Sequence, residues 1–364
     1  MAAQEHLENE YRCHYPLISF VKPSIIRARK AILSAKMSSK RMGFVALAAA
    51  LLLVGFARAP AAQQLKPWRH GVIEPKGDAG FIMMVGQTGF GEKYGLKIEL
   101  VPLKNGSLAH KALLSGELDS IESSPGSTIL AGAHGADIKI VGCDWPGVPH
   151  GLMVRSGISK VTDLKGKTVA VAAPGSLPNL LINVILEKYQ TAPADVRFAS
   201  LGGDLDRFKA LISGVVDAAV VATEFTPLMP KGVTMLVEGY DVMPDYVRLC
   251  LIMTGKTITE RREDAINFVA AQMDALHYAV ANRAATIKLT QDTIQTNSDD
   301  PRPAFSFDDT IKRKAIDPDA ALPLDKLNWL QNELVKTGNL KAPIDLGKII
   351  DAGIRSEAAK RIKK

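Results

Sequence analysis

Residues 167–201 read KTVAVAAPGSLPNLLINVILEKYQTAPADVRFASL. KTVAVA is a short apolar, strand-like run, LPNLLINVILEKYQ carries helical patterning, and VRFASL is a second strand-like run. Strand, helix and strand within that length predict a βαβ unit, with two parallel strands under a covering helix. The same alternation extends in both directions. Upstream it runs through RHGVI (69–73), FIMMVGQTGFGEKYG (81–95), LKIELV (96–101), SLAHKALLSG (107–116), SIES (120–123), GSTILAGAHG (126–135) and IKIVGC (138–143); downstream it continues through DRFKALISG (206–214) and DAAVVA (217–222). Glycine closes several of the helical runs where a left-handed residue is needed, at Gly95, Gly116 and Gly214. The fold class is therefore α/β, arranged as two lobes, each around a mainly parallel sheet.

Size agrees with two lobes, because 364 residues exceed what one compact core organises. The net charge of +7 is concentrated at the start of the chain. Residues 1–61 hold nine Lys or Arg against three acids, which leaves +1 on the rest and no electrostatic footprint for nucleic acid. Lys40 and Arg41 precede the uncharged apolar run 43–57, and Ala59 and Ala61 then form an A-x-A-like site. Such a segment is a secretory signal peptide, and it is shorter than the roughly 20 residues that span a membrane. Residues 1–61 are thus expected to be a leader, with the signal peptide within 37–61, residues 1–36 upstream of a start at Met37, and a mature chain from near Ala62 in the periplasm.

Behind the leader only Cys143 and Cys250 remain, each inside an apolar strand-like run, and they are expected to be separate buried thiols. The seven histidines show no metal-ligand spacing, and neither CxxC nor HExxH occurs, so no metal and no cofactor are implied. His134 and His277 sit in helical patterns as packing or surface residues. Residues 259–291 place Ile266, Val269, Met273, Leu276 and Val280 at spacings of three and four, which predicts a long helix burying one face. A Pro- and Asp-rich stretch, 298–323, separates it from a second amphipathic helix containing Leu327, Leu330 and Leu334.

The segment VRSGISKVTDLKGKTVAVAAPGSLPNLLINVILEKYQTAPADVRFASL (154–201) resembles the middle of the nitrate/sulfonate/taurine-type solute-binding proteins, whose fold also occurs in thiamine-pyrimidine-precursor proteins. LLSGELDSIESSPGSTILAGAHGADIKIVG resembles the family's first-lobe stretch and KALISGVVDAAVVATEFTP its second-lobe counterpart, so the likeness covers roughly residues 68–280. It implies a periplasmic-binding-protein-like fold of type II with two crossover hinge strands, near Gly151–Ser156 and Val247–Thr254. It divides the chain into residues 68–156 plus 247–364 as lobe 1 and 157–246 as lobe 2. It also implies a non-enzymatic, monomeric, extracytoplasmic substrate-binding subunit of an ABC importer, with a small-molecule ligand and the permease transmembrane subunits as partners. The alternative is an enzyme on the same fold resembling the thiamine-pyrimidine precursor synthases; no convergent nucleophile and base is evident for it. Many members carry Trp-Glu-Pro after the last second-lobe strand, where this chain has Thr223, Glu224 and Phe225, with Pro227 displaced.

Candidate binding residues follow from the loops. Twice the chain runs from a Gly-ended helix through an Asp into a strand, at Leu114–Asp119 and Ile212–Asp217. After each such strand come helix-starting residues, Ser123-Ser124-Pro125 and Thr223-Glu224-Phe225-Thr226-Pro227. Loops at the carboxyl ends of strands line the crevice of open α/β sheets, so the cleft is expected to be walled by helix N-termini. Gly175 and Ser176 open the helix after KTVAVA, with Gly106, Ser107, Ser123 and Ser124 as first-lobe counterparts. Helix N-termini hold anions without a charged side chain, which favours a small organic or inorganic anion. Lys76 and Asp78, beside Glu74, occupy the first strand-to-helix loop. Asp144 and Trp145 follow IKIVGC, Thr223 and Glu224 follow DAAVVA, and Arg248 lies on a returning strand as an ion-pair partner.

Overall fold

The computed structural model describes residues 64–73, 76–172 and 176–362. The leader, its apolar run 43–57, the expected start near Ala62, and the candidates Glu74 and Gly175 lie outside the described residues.

Ten strands form two sheets among the described residues: β1 (Lys66–Ile73), β2 (Leu96–Leu103), β3 (Ser120–Ser123), β4 (Lys139–Pro146), β5 (His150–Arg155), β6 (Thr168–Val171), β7 (Arg197–Ser200), β8 (Ala218–Ala222), β9 (Val233–Glu238) and β10 (Val247–Met253). The first sheet has the order β2-β1-β3-β10-β4 and the second β7-β6-β8-β5-β9. In each, the first three strands are parallel, and the fourth runs antiparallel to both its neighbours. That fourth strand is the one delivered from the other lobe, β10 in the first sheet and β5 in the second. The run 151–156, expected in lobe 1, therefore lies almost wholly in a strand of the second sheet. The chain changes lobe just before it, at 147–149, and returns through 239–246.

Helices of nine or more residues are α1 (Gly106–Leu114), α2 (Pro125–Ala133), α3 (Leu177–Lys188), α4 (Asp204–Ile212), α5 (Arg262–Ala281), α6 (Arg283–Thr293), α7 (Pro301–Lys312), α8 (Leu324–Lys336) and α9 (Ala352–Ile362). The βαβ unit read from residues 167–201 is β6-α3-β7, and β6 and β7 pair in parallel from Thr168↔Arg197 to Val171↔Ser200. The internal repeat has a structural counterpart. Asp119 takes the N–H of Arg69 on its carboxylate at 2.7 Å and gives its own N–H to the Arg69 carbonyl at 2.9 Å. Asp217 does the same with Thr168, at 2.8 and 3.0 Å. Gly95, Gly116 and Gly214 have φ of 76°, 80° and 82°, as their helix ends require.

The stretch 259–291 forms two long helices, not one, broken at Asn282. Ile266, Val269, Met273 and Leu276 of α5 are buried, along with Phe268 and several alanines. Leu327, Leu330 and Leu334 of α8 are buried as expected. The Pro- and Asp-rich stretch holds a helix of its own, α7, whose cap Asp300 accepts from the Arg302 N–H at 2.9 Å and is followed by Pro301 at the first helical position.

Cys143 and Cys250 are joined in a disulfide, not left as separate thiols. They stand on β4 and β10, antiparallel neighbours whose register shifts between Leu249 and Leu251. A strand that returns after a separation of 107 residues cannot be placed beside another from sequence spacing alone, which is why the expectation failed. The bridge joins the last strand before the chain leaves the first lobe to the strand on which it comes back. A chain begun at residue 62, unfolded without reductant, should show no free thiol by titration. The Cys143→Ser/Cys250→Ser pair should lose about 2–5 kcal/mol in denaturant unfolding. Two free thiols in the unreduced protein would contradict the bridge.

Candidate functional site

A cavity of about 390 Å³ lies between the sheets. It is walled by the carboxyl ends of parallel strands and the amino ends of the two antiparallel ones, where open α/β sheets hold ligands. The starts of four helices line it: Asn105 and Gly106 of α1, Ser124 and Gly126 of α2, Ser176 and Leu177 of α3, and Gly203 and Asp204 of α4. Each brings N–H groups that the helix itself does not use. Asn105 caps α1 by accepting from the Leu108 N–H at 3.0 Å. Ser124 and Ser176 occupy cap positions without capping. Ser124 stands beside the Tyr246 hydroxyl, and the Ser176 hydroxyl has no partner among the described residues. The Ser123 hydroxyl, fully buried, is likewise unpartnered. The rest of the lining includes an apolar group from α2, α3 and α8: Leu130, Leu177, Leu180, Leu330 and Leu334.

Asp204 organises the second-lobe side. Its carboxylate meets Lys76 from the first lobe, Arg207, and the N–H of Ala222 at 3.1 Å, and His150 Nε2 lies 3.3 Å away. Burial pushes this carboxyl up, but Lys76, His150 and Arg207 together hold it well below the ordinary value. His150 is also lowered, but here by burial, against the pull of Asp204. Its Nδ1 has no partner among the described residues. Arg248, on the first-lobe side, pairs with Asp78 and lies over the Trp145 ring at 4.8 Å. Glu122, 2 % exposed, also lines the cavity; burial and then Asp144 raise its carboxyl well above the ordinary range, against Arg248.

The structure brings Lys76, Gly106, Ser123, Ser124 and Ser176 together on this cavity. Asp78, Trp145, Thr223 and Glu224 line a second space of about 20 Å³, room for about one water, which shares Lys76, His150 and Arg248 with the first. Trp145 is thus a platform for Arg248 packed edge-on against Phe81, and offers no aromatic face to the main cavity. Two candidates lie elsewhere. Ser107 is exposed, because Asn105 is the cap and Ser107 already belongs to the helix body. Asp144 is fully buried and accepts from Gln272 of α5 at 3.3 Å. Glu122, His150, Asp204, Arg207 and Tyr246 were not among the sequence candidates. Glu122 stands one residue before Ser123 at the carboxyl end of β3, and Asp204 follows Gly202-Gly203 in a strand-to-helix loop, so both carried a positional signal. His150 carried none, since it becomes a cleft residue only when β5 is placed in the second sheet.

The family described as NMT1/THI5 like matches residues 78–285, the stretch that supplies all of the cavity lining except Ile73, Lys76 and the α8 leucines Leu330 and Leu334. The chain belongs to the NMT1/THI5-like family. Among solved structures, this NMT1/THI5-like chain is similar to the periplasmic aliphatic sulphonate binding protein SsuA from Escherichia coli, at 21 % identity and a TM-score of 0.66 over 79 % of this chain and 92 % of that one. It is similar to the periplasmic nitrate-binding protein NrtA from Synechocystis, at 15 % and 0.66 over 82 % and 90 %. It is also similar to the desulfurization enzyme DSZB, at 15 % and 0.61 over 81 % and 99 %. No curated protein matches the sequence. These likenesses show the two-lobed fold.

The lobes are also tied directly. Glu224 accepts from the Gly77 N–H at 2.6 Å, Lys336 of α8 reaches Glu187 of α3 at 2.6 Å, and Arg313 pairs with Glu238. Burial, then Asp78, raises the Glu224 carboxyl from 4.5 to about 7, against Lys76 and the Gly77 N–H. A carboxyl raised on folding stabilises fully below its unfolded value and loses that contribution as pH rises through the folded one. Between about pH 4.5 and 7 the wild type should therefore lose stability relative to Glu224→Gln, at no more than about 1.4 kcal/mol per pH unit. Parallel stability curves for the two proteins across that window would show that Glu224 is ordinary.

Proposed function

We propose that this chain is the extracytoplasmic substrate-binding subunit of an ABC importer, closing two lobes on a small organic anion and passing it to the permease. The observation that carries the reading is the meeting of four helix N-termini and two unpartnered serine hydroxyls on one cavity between the lobes. The lining charges point the same way. Lys76, Lys104, Arg207 and Arg248 outnumber Asp204 and Asp78, the carboxylates they meet, while Glu122 is held toward its neutral form. The leucine wall favours an anion with an apolar portion over a bare inorganic one. The titles of SsuA and NrtA name a sulphonate and a nitrate, which agrees with an anion. The lobes act as a monomer's two jaws, turning at 147–149 and 239–246, and a ligand touching both favours the closed state by what it gains over the open one. Export by the leader puts the protein in the periplasm.

Calorimetric titration with 1-butanesulfonate, butanoate and nitrate should give binding without turnover, with the organic anions tighter. Ser123→Ala and Ser176→Ala should each weaken the best binder about 5–150-fold, because a buried polar group loses its partner. Thr162→Ala, in an exposed turn before β6, should bind as wild type. Equal affinity for wild type and both serine variants would remove the helix N-termini from the reading, and steady turnover of a bound anion would favour an enzyme. Intact mass of protein recovered from the periplasm should begin near Ala62; protein held in the membrane with residues 43–57 attached would contradict export.

A further inference from the structure

His150 is the first residue of β5, so it is delivered into the cavity wall at the point where the chain enters the second lobe. It is 5 % exposed and faces three charged groups: Asp204 at 3.3 Å, with Lys76 and Arg248 further off. Asp204 is an ionised carboxylate already holding two cations, and a carboxylate can only accept. The proton of the imidazole therefore sits on Nε2, which faces the Asp204 carboxylate at 3.3 Å, and this leaves the Nδ1 lone pair as the free function of the ring. That atom has no partner among the described residues. Apart from the Asp204 carboxylate and the Asn105 cap oxygen, which protein donors already occupy, the polar groups singled out on the cavity offer a donor or are flexible in role: helix N–H groups, Arg248, the hydroxyls of Ser123 and Ser176, and the Glu122 carboxyl, held toward its neutral form. The fixed, buried acceptor is the exception, and a plain anion brings nothing to match it.

We propose that His150, held in one tautomer by Asp204, reads a hydrogen-bond donor on the ligand, so that the cavity takes an organic anion that also carries a hydroxyl or N–H group. The inference rests on the anion reading above and narrows it. Asp204 is the positioning residue in this scheme, and its tie to Lys76 of the first lobe means that the tautomer is fixed most firmly when the lobes are closed.

Two measurements test it. In protein with ¹⁵N-labelled histidine, long-range proton–nitrogen spectra, assigned with His150→Phe, should show the ring of His150 neutral with its proton on Nε2. A proton on Nδ1, or an imidazolium, would overturn the proposal without any ligand. Titration with 2-hydroxyethanesulfonate and with 2-methoxyethanesulfonate, which keeps the oxygen and loses the donor, should favour the first by about tenfold or more. His150→Phe should bring that ratio close to one while the sulfonates still bind, and His150→Asn, whose amide oxygen accepts, should restore part of it. Equal binding of both sulfonates to wild type would leave Nδ1 to a buried water and sink this inference alone. Failure of every sulfonate, carboxylate and nitrate to bind would remove the anion reading and this one with it.

Discussion

Asp204 carries a negative charge in a place that is 6 % exposed, and much of the cavity follows from keeping that charge compensated. An ionised carboxylate away from water is costly unless it is paired and hydrogen-bonded. Here Arg207 comes from the next turn of the same helix, the Ala222 N–H from the end of β8, His150 from the start of β5, and Lys76 from across the cleft. Three of these partners belong to the second lobe and assemble with it. Lys76 comes from the other lobe, so the full set of partners depends on the two lobes being in contact. The ion pair is thus both a fastening between lobes and the reason that a histidine beside it has a defined proton.

The first-lobe side answers a similar problem by the opposite route. Arg248 is the cation nearest to Asp78, Glu122 and Asp144, and it ion-pairs with Asp78 alone. At Glu122 and Asp144 burial outweighs the pull of Arg248 and, at Asp144, of the Gln272 amide, and both are pushed upward, Asp144 to about 7. The two walls of the cleft therefore differ in kind: one holds a fixed charge balanced by cations, and the other holds Glu122, an acid inclined to keep its proton, with Asp144 behind it. An anion placed between them meets positive charge and donors without facing a row of carboxylates.

The alternation of strand and helix around residues 167–201, the repeated Gly-to-Asp turns and the Ser-rich helix starts were legible in the sequence, because each depends on neighbours close along the chain. Ser123, Ser124, Ser176 and Gly106 follow from the rule that loops at strand carboxyl ends line the crevice, and that rule needs no knowledge of pairing. What escaped were features made by long-range pairing. The disulfide depends on β10 lying beside β4, and His150 depends on β5 entering the second sheet at its fourth position. Trp145 and Asp144 were placed by their nearness to a strand end, but adjacent strand residues face opposite ways. One supports Arg248 and the other meets α5.

The α-carbons of Cys143 and Cys250 are 3.8 Å apart, and beyond the last residues of β4 and the first of β10 everything between them is the second lobe with its two connecting passages. A body whose ends emerge side by side is, in topological terms, an insert. It can be lifted out of its host sheet, or exchanged for another of the same kind, without asking the host to change the positions of β4 and β10. A lineage of such proteins can therefore vary the half of the cleft that carries His150 and Asp204 separately from the half that carries Arg248, and a new ligand preference can spread by the transfer of one cassette.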